Sequence, residues 1–259
     1  MPGEILLSRD GGIATVTLDN PGKLNALDLA MWRRLGEVMR GLDRDTTLRC
    51  VVVRGAGGKA FAAGADISEF EKTRSNAKVS KKYGEVLEAT MAAIAGCRHP
   101  IVAMIHGACV GGGVEIISQC DLRICGTSSR FGIPIAKLGL VVGYGEMAGL
   151  IDLVGRAAAM EILLEGRILD AAEAKDMGLV NRVVPDDKVE EESTAAARRI
   201  AAGAPLVARW HKKFARRLAS PRPVTKAERN EAYACFDTED FREGVKAFLA
   251  KRKPEFRGK

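Results

Sequence analysis

Aromatic side chains are scarce in this chain of 259 residues, with two Trp, three Tyr and eight Phe making up 5% of the sequence. With 28 glycines beside them, close approach of backbones is expected to matter more than large packed anchors. Disulfide and metal signatures are missing too. The six cysteines form no C-x-x-C pair and lie mostly in apolar runs, as reduced, buried thiols of a cytoplasmic protein do. His99, His106 and His211 lack metal-ligand spacing. No G-x-S-x-G elbow supports a serine hydrolase. The opening residues carry no basic region followed by a long apolar core, so a secretory signal is not expected. The most apolar stretch, residues 101–117, is broken by His106 and a glycine run and contains Glu115, which argues against a membrane span.

What is present is an ordinary globular composition, 47% hydrophobic and 28% charged, with 40 Lys+Arg against 33 Asp+Glu and a net charge of +7. The positive excess points to an anionic ligand or partner. Residues 13–18 alternate apolar and polar after a Gly-Gly turn and read as one arm of a hairpin. Buried strands are expected at 50–53, 101–105 and 122–125, and helices at 27–42 and 79–96. Beyond Gly145 the pattern turns helical, at 147–154, 157–164, 171–177 and 189–202, interrupted by a strand at 179–184. From Pro205 it stays helical, with a break at 220–223. This suggests a strand-rich core over residues 1–200 and a helical region over residues 201–259.

Two small-residue segments carry the chemistry. One is Phe61-Ala62-Ala63-Gly64-Ala65-Asp66-Ile67. The other is His106-Gly107-Ala108-Cys109-Val110-Gly111-Gly112-Gly113-Val114-Glu115, a strand passing through glycines into a helix. Glycines at a helix start leave unshielded N–H donors where the helix dipole favours negative charge. Glu115 on the first turn stands beside those donors. A carboxylate there suits proton transfer next to a developing oxyanion. The plain alternative is a close-packed turn carrying a first-turn glutamate.

Together these segments resemble the two signature blocks of the enoyl-CoA hydratase/isomerase (crotonase) superfamily. Pro21-Gly22-Lys23-Leu24-Asn25-Ala26-Leu27, Phe131-Gly132, Leu138-Gly139 and Gly178-Leu179-Val180 extend the likeness over essentially the whole chain. The resemblance implies an α/β fold, the crotonase (ClpP-like) spiral of ββα turns, with C-terminal helices that make a homotrimer or a dimer of trimers. It implies an acyl-CoA thioester substrate, with coenzyme A entering as part of the substrate and no separate cofactor. By the same resemblance the N–H groups of Ala65 and Gly112 form an oxyanion hole and Glu115 handles the proton. The loop from Ala63 through Asp66 and Ile67 to Ser68 lines the CoA site, with Lys23 and Leu24 near the adenine and phosphates. Phe248 and Lys251 resemble residues that reach the CoA of a neighbouring subunit.

One position departs from the family pattern. The hydratases' second glutamate lies in F-G-x-P-E-x-x-L-G, which here reads Phe131-Gly132-Ile133-Pro134-Ile135-Ala136-Lys137-Leu138-Gly139. Isoleucine neither donates nor accepts a proton, so the two-carboxylate route through Ile135 is closed. Glu146 is the nearest acid in sequence and reads as a first-turn residue answering a helix dipole. Tyr144 would serve as a donor only if its hydroxyl faced the pocket. A hydratase-type lyase stands first. A decarboxylase of the methylmalonyl-CoA type is the alternative, since it needs no activated water, although that branch has a histidine where this chain has Ala65. A silent acyl-CoA binder, or an RNA binder using Arg209, Lys212, Lys213, Arg216 and Arg217, comes after these.

Overall fold

The computed structural model describes residues 2–259. The N-terminal hairpin pairs β1 (Glu4–Asp10) with β2 (Ile13–Asp19) antiparallel. Its outer strand is mostly exposed while β2 buries every second residue, the period of a strand with one covered face. Helix α1 (Leu29–Arg44) follows, its start fixed by the Asp28 carboxylate accepting from Met31 N–H at 2.8 Å.

A repeating unit then appears. Strand β3 (Cys50–Gly55) leads to the short strand β4 (Ala60–Ala62), then to the short helix α2 (Phe70–Thr73) and to α3 (Ala77–Gly96). Strand β5 (Ile101–Ile105) leads to β6 (Ala108–Val110) and α4 (Gly112–Ser118). Strand β7 (Leu122–Gly126) leads to β8 (Arg130–Gly132) and α5 (Tyr144–Glu165), a helix interrupted at Gly155. Each unit places one strand in each of two sheets, which is the expected ββα spiral. The larger sheet runs β1-β2-β3-β5-β7-β9, where β9 is Arg182–Val184, and is parallel from β2 onward. The smaller is the parallel trio β4-β6-β8.

The β5 strand is buried at all five residues because both faces of the large sheet are covered. Val51, Val53, Ile101, Ala103 and Ile105 enter the main core with α1 and α3. Val52, Val102 and Met104 turn the other way, onto Val189, Ala196 and Ala197 of α7 (Val189–Ala201). Helix α6 (Ala171–Asp176) precedes β9, and its Asp170–Glu173 capping box fixes its start. The strand expected at 179–184 is shorter, because Leu179 and Val180 are buried core residues ahead of the paired segment. The expected strands miss β4, β6 and β8, each only three residues long and paired across the spiral.

The chain ends in α8 (Pro205–Leu218), α9 (Lys226–Glu231) and α10 (Glu239–Leu249). The basic charges of α8 are used internally. Lys212 Nζ donates to Asp121 at 2.6 Å and to the His99 carbonyl at 3.0 Å, and Lys213 pairs with Glu231. Arg217 pairs with Glu228, Arg209 donates to the Thr46 and Leu48 carbonyls, and Arg216 donates to the Ala95 carbonyl. Five cysteines are buried and none is disulfide-bonded. Burial pushes the thiols of Cys50, Cys120 and Cys125 up to about 12, so they are inert. No helix among the described residues is long and apolar enough to cross a membrane.

Candidate active site

The glycine loops meet where the two sheets hand over to the helices. After β4 the chain turns through Gly64 at φ +99°, where a Cβ would stand 3.2 Å from the Val110 carbonyl. The loop is held to the Pro21–Leu27 turn by Leu27 N–H to Gly64 O at 2.8 Å and Asp66 N–H to Leu27 O at 2.9 Å. Those two bonds skip Ala65, so its N–H donates to no backbone carbonyl. On the facing loop Gly112 is the first residue of α4, where an N–H has no intrahelical acceptor. A Cβ on Gly112 would press within 2.8 Å of the Trp32 ring. The two free donors therefore line one pocket, and glycine keeps both loops close enough to share it.

That pocket is a cavity of about 160 Å³, lined by Ala63, Gly64, Ala65 and Ile67 on one side and by Gly111, Gly112 and Glu115 on the other. Ile135, Val142 and Leu87 add apolar wall. Glu115 is half-buried and lines the cavity. Burial, then the negative charge of Glu146, raise its pKa to about 7, against a smaller opposing effect of Arg74. Glu146 is only 6% exposed, and its carboxylate lies along the same pocket beside Gly143. It is a first-turn acid of α5, as expected, and it also lines the pocket. Tyr144 is 96% exposed and does not line the pocket, so it is not the proton donor.

At the mouth, Lys23 Nζ pairs with Asp66 at 2.5 Å and donates to Ser68 Oγ at 3.0 Å. Burial works against the Asp66 charge, yet the hydrogen bonds from Lys23 and Ser68 hold its carboxyl below the usual range. Leu24 is half-exposed and its carbonyl accepts from Ala63 N–H, which fixes the Lys23 turn against the pocket loop. Phe248 and Lys251 are not brought to this pocket within the chain. Phe248 is 84% exposed on α10, and Lys251 follows that helix with a left-handed φ of 52°. No cluster of His, Cys, Asp and Glu among the described residues is arranged to hold a metal ion.

The chain as a whole has counterparts among known proteins. The family model for enoyl-CoA hydratase/isomerase matches residues 8–259. This chain belongs to the enoyl-CoA hydratase/isomerase family. The Probable enoyl-CoA hydratase of Rhizobium meliloti is 36% identical, covering 98% of this chain and 97% of its own. The Short-chain-enoyl-CoA hydratase of Clostridium acetobutylicum is 32% identical, covering 97% and 96%. Among solved structures, an enoyl-CoA hydratase/carnithine racemase from Magnetospirillum magneticum superposes with a TM-score of 0.97 at 50% identity, covering 98% of this chain and 96% of that one. As a member of this family, the chain is a hydratase-type acyl-CoA enzyme.

Several pocket residues were not legible as such. Trp32 sits inside an amphipathic helix, Tyr83 on the inward face of α3, and Phe70 and Arg74 in a polar stretch without a motif. Only the folded chain gathers them, and no signal in the sequence marks Arg74.

Proposed function

We propose that the chain adds water across the double bond of a 2-enoyl-CoA thioester, with Glu115 and Glu146 as the proton-handling pair. The thioester oxygen accepts from the Ala65 and Gly112 N–H groups, which stabilise the enolate more than the starting ester. As water bonds to Cβ, one of its protons passes to the ionised carboxylate. The protonated partner delivers its proton to Cα, and the net change is addition of one water. Glu115 is the protonated member near neutral pH because burial and Glu146 hold its proton on. One observation carries this reading: two carboxylates without a hydrogen-bond or ion-pair partner face one cavity beside two free N–H groups. Glu146 thus stands in for the glutamate that Ile135 replaces.

Coenzyme A enters with the substrate, its phosphates near Lys23 and the Ala63–Ser68 loop, and no separate cofactor is invoked. Exposed Phe236, Phe241, Phe248 and Leu249 on the last helices support self-association as a homotrimer or a dimer of trimers. Internal use of the basic charges on α8 counts against an RNA-binding role, and the buried thiols suit a cytoplasmic setting. The test is a panel of acyl-CoA thioesters read by mass spectrometry, scoring water addition, double-bond shift and CO₂ loss separately. Water addition is the expected product. Loss of CO₂ without hydration would select the decarboxylase instead.

A further inference from the structure

The proton-handling pair leaves one part of the same cavity unexplained. Arg74 lines it with its guanidinium held between two rings, 4.3 Å from the centroid of Phe70 and 4.3 Å from that of Tyr83. Such stacking fixes the guanidinium plane while leaving its N–H edge free. Among the described residues no carboxylate lies within 4.0 Å of it, and its buried Nε has no hydrogen-bond partner. Two further polar atoms stand beside the guanidinium. Trp32 is fully buried and Tyr83 is 6% exposed; Trp32 Nε1 and the Tyr83 hydroxyl are closed off from the cavity, and the hydroxyl lies beside both the Trp32 N–H and Arg74. Both side chains line the same cavity.

A charge in a cavity wall is rarely left without a partner, and the unpaired Arg74 guanidinium calls for a ligand that brings an anionic acceptor. The other lining on this side is apolar, with Phe70 and Leu87. The charges that face Arg74 across the pocket are Glu115 and Glu146. Glu115 is close enough to feel the guanidinium, yet it holds its own proton up to about pH 7 and so is a weak counter-ion. The volume limits the ligand as well: about 160 Å³ is close to that of a cavity that holds one benzene ring. A short acyl group fits this space.

Building on the acyl-CoA reading above, we propose that the acyl group carries a terminal carboxylate. The substrate is then a thioester of a short dicarboxylic acid, its free carboxylate seated on the Arg74 guanidinium. Arg74 sets specificity and takes no part in the proton transfer.

Titration calorimetry with two non-reacting thioesters of equal chain length, pentanedioyl-CoA and pentanoyl-CoA, tests this directly. The wild-type protein should bind the dicarboxylic thioester about tenfold or more tightly than the neutral one, the scale of a charge-assisted hydrogen bond. Arg74→Met should bring the ratio of the two constants to about one or below, and Arg74→Lys should keep part of it. Because the readout is a ratio, general damage to the pocket does not move it. Equal or weaker binding of pentanedioyl-CoA by the wild type overturns the proposal, as does an unchanged ratio in Arg74→Met, and either leaves the acyl-CoA reading standing. Failure of both thioesters to bind removes that reading and this one together.

Discussion

Two polar regions of this protein, each partly buried, are built in opposite ways. Where α8 meets the large sheet, Lys212 and Asp121 are paired, while both ring nitrogens of His99 and Arg209 Nε find no partner among the described residues. Lys212 donates to Asp121 and to the His99 carbonyl, and the other Asp121 contact is the Ile101 N–H at 2.7 Å. In the pocket, Glu115, Glu146 and Arg74 have no ion-pair partner among the described residues. A satisfied buried network gives a fixed arrangement, whereas an unsatisfied one costs stability and persists where a ligand completes it. The Lys212–Asp121 pair is therefore read as structural, and the pocket as functional because its unpaired charges line a cavity.

Breaking the satisfied region should have the largest effect on folding. Lys212→Met leaves Asp121 without its cation, and an unfolding titration should show a loss of about 3 kcal/mol. The double variant with Asp121→Asn should recover part of that.

The unsatisfied region should respond with the opposite sign. Folded Glu115 keeps its proton up to about pH 7, whereas an unfolded glutamate releases it near about 4.3. Between those values the folded state holds the extra proton, so this group's contribution falls as pH rises and is least favourable above 7. Glutamine has no proton to lose. Glu115→Gln should therefore match the wild type near about pH 4 and exceed it by about 3 kcal/mol at about pH 8.

A smaller effect sharpens the coupling inside the pocket. Glu146→Gln removes the charge that helps to raise Glu115. The basic limb of the residual kcat profile, which reports loss of the Glu115 proton, should move down by about one pH unit. The smallest effect belongs to the exposed pair at the mouth. Lys23→Ala removes the partner of Asp66 from a side chain that is 47% exposed, and stability should change by less than about 1 kcal/mol.

Much of the spiral was legible from the chain. Runs such as residues 101–105 are apolar without alternation because both faces of the strand are covered. Ala65, Gly112 and Glu115 were marked by the resemblance of the two small-residue segments to the family's signature blocks. The short strands β4, β6 and β8 carry no periodicity to detect at three residues each. Glu146 was visible as a first-turn acid, but its orientation depends on Gly143 ending the loop before α5, which is a tertiary fact. Arg74, Tyr83 and Trp32 come from three different helical segments and share a wall only after folding.

The most direct test of the account is turnover by Glu115→Gln of the acyl-CoA thioester that the wild type processes fastest, measured beside its binding constant. Retained binding with turnover lower by about a hundredfold or more is the predicted result. Turnover equal to that of the wild type would contradict it.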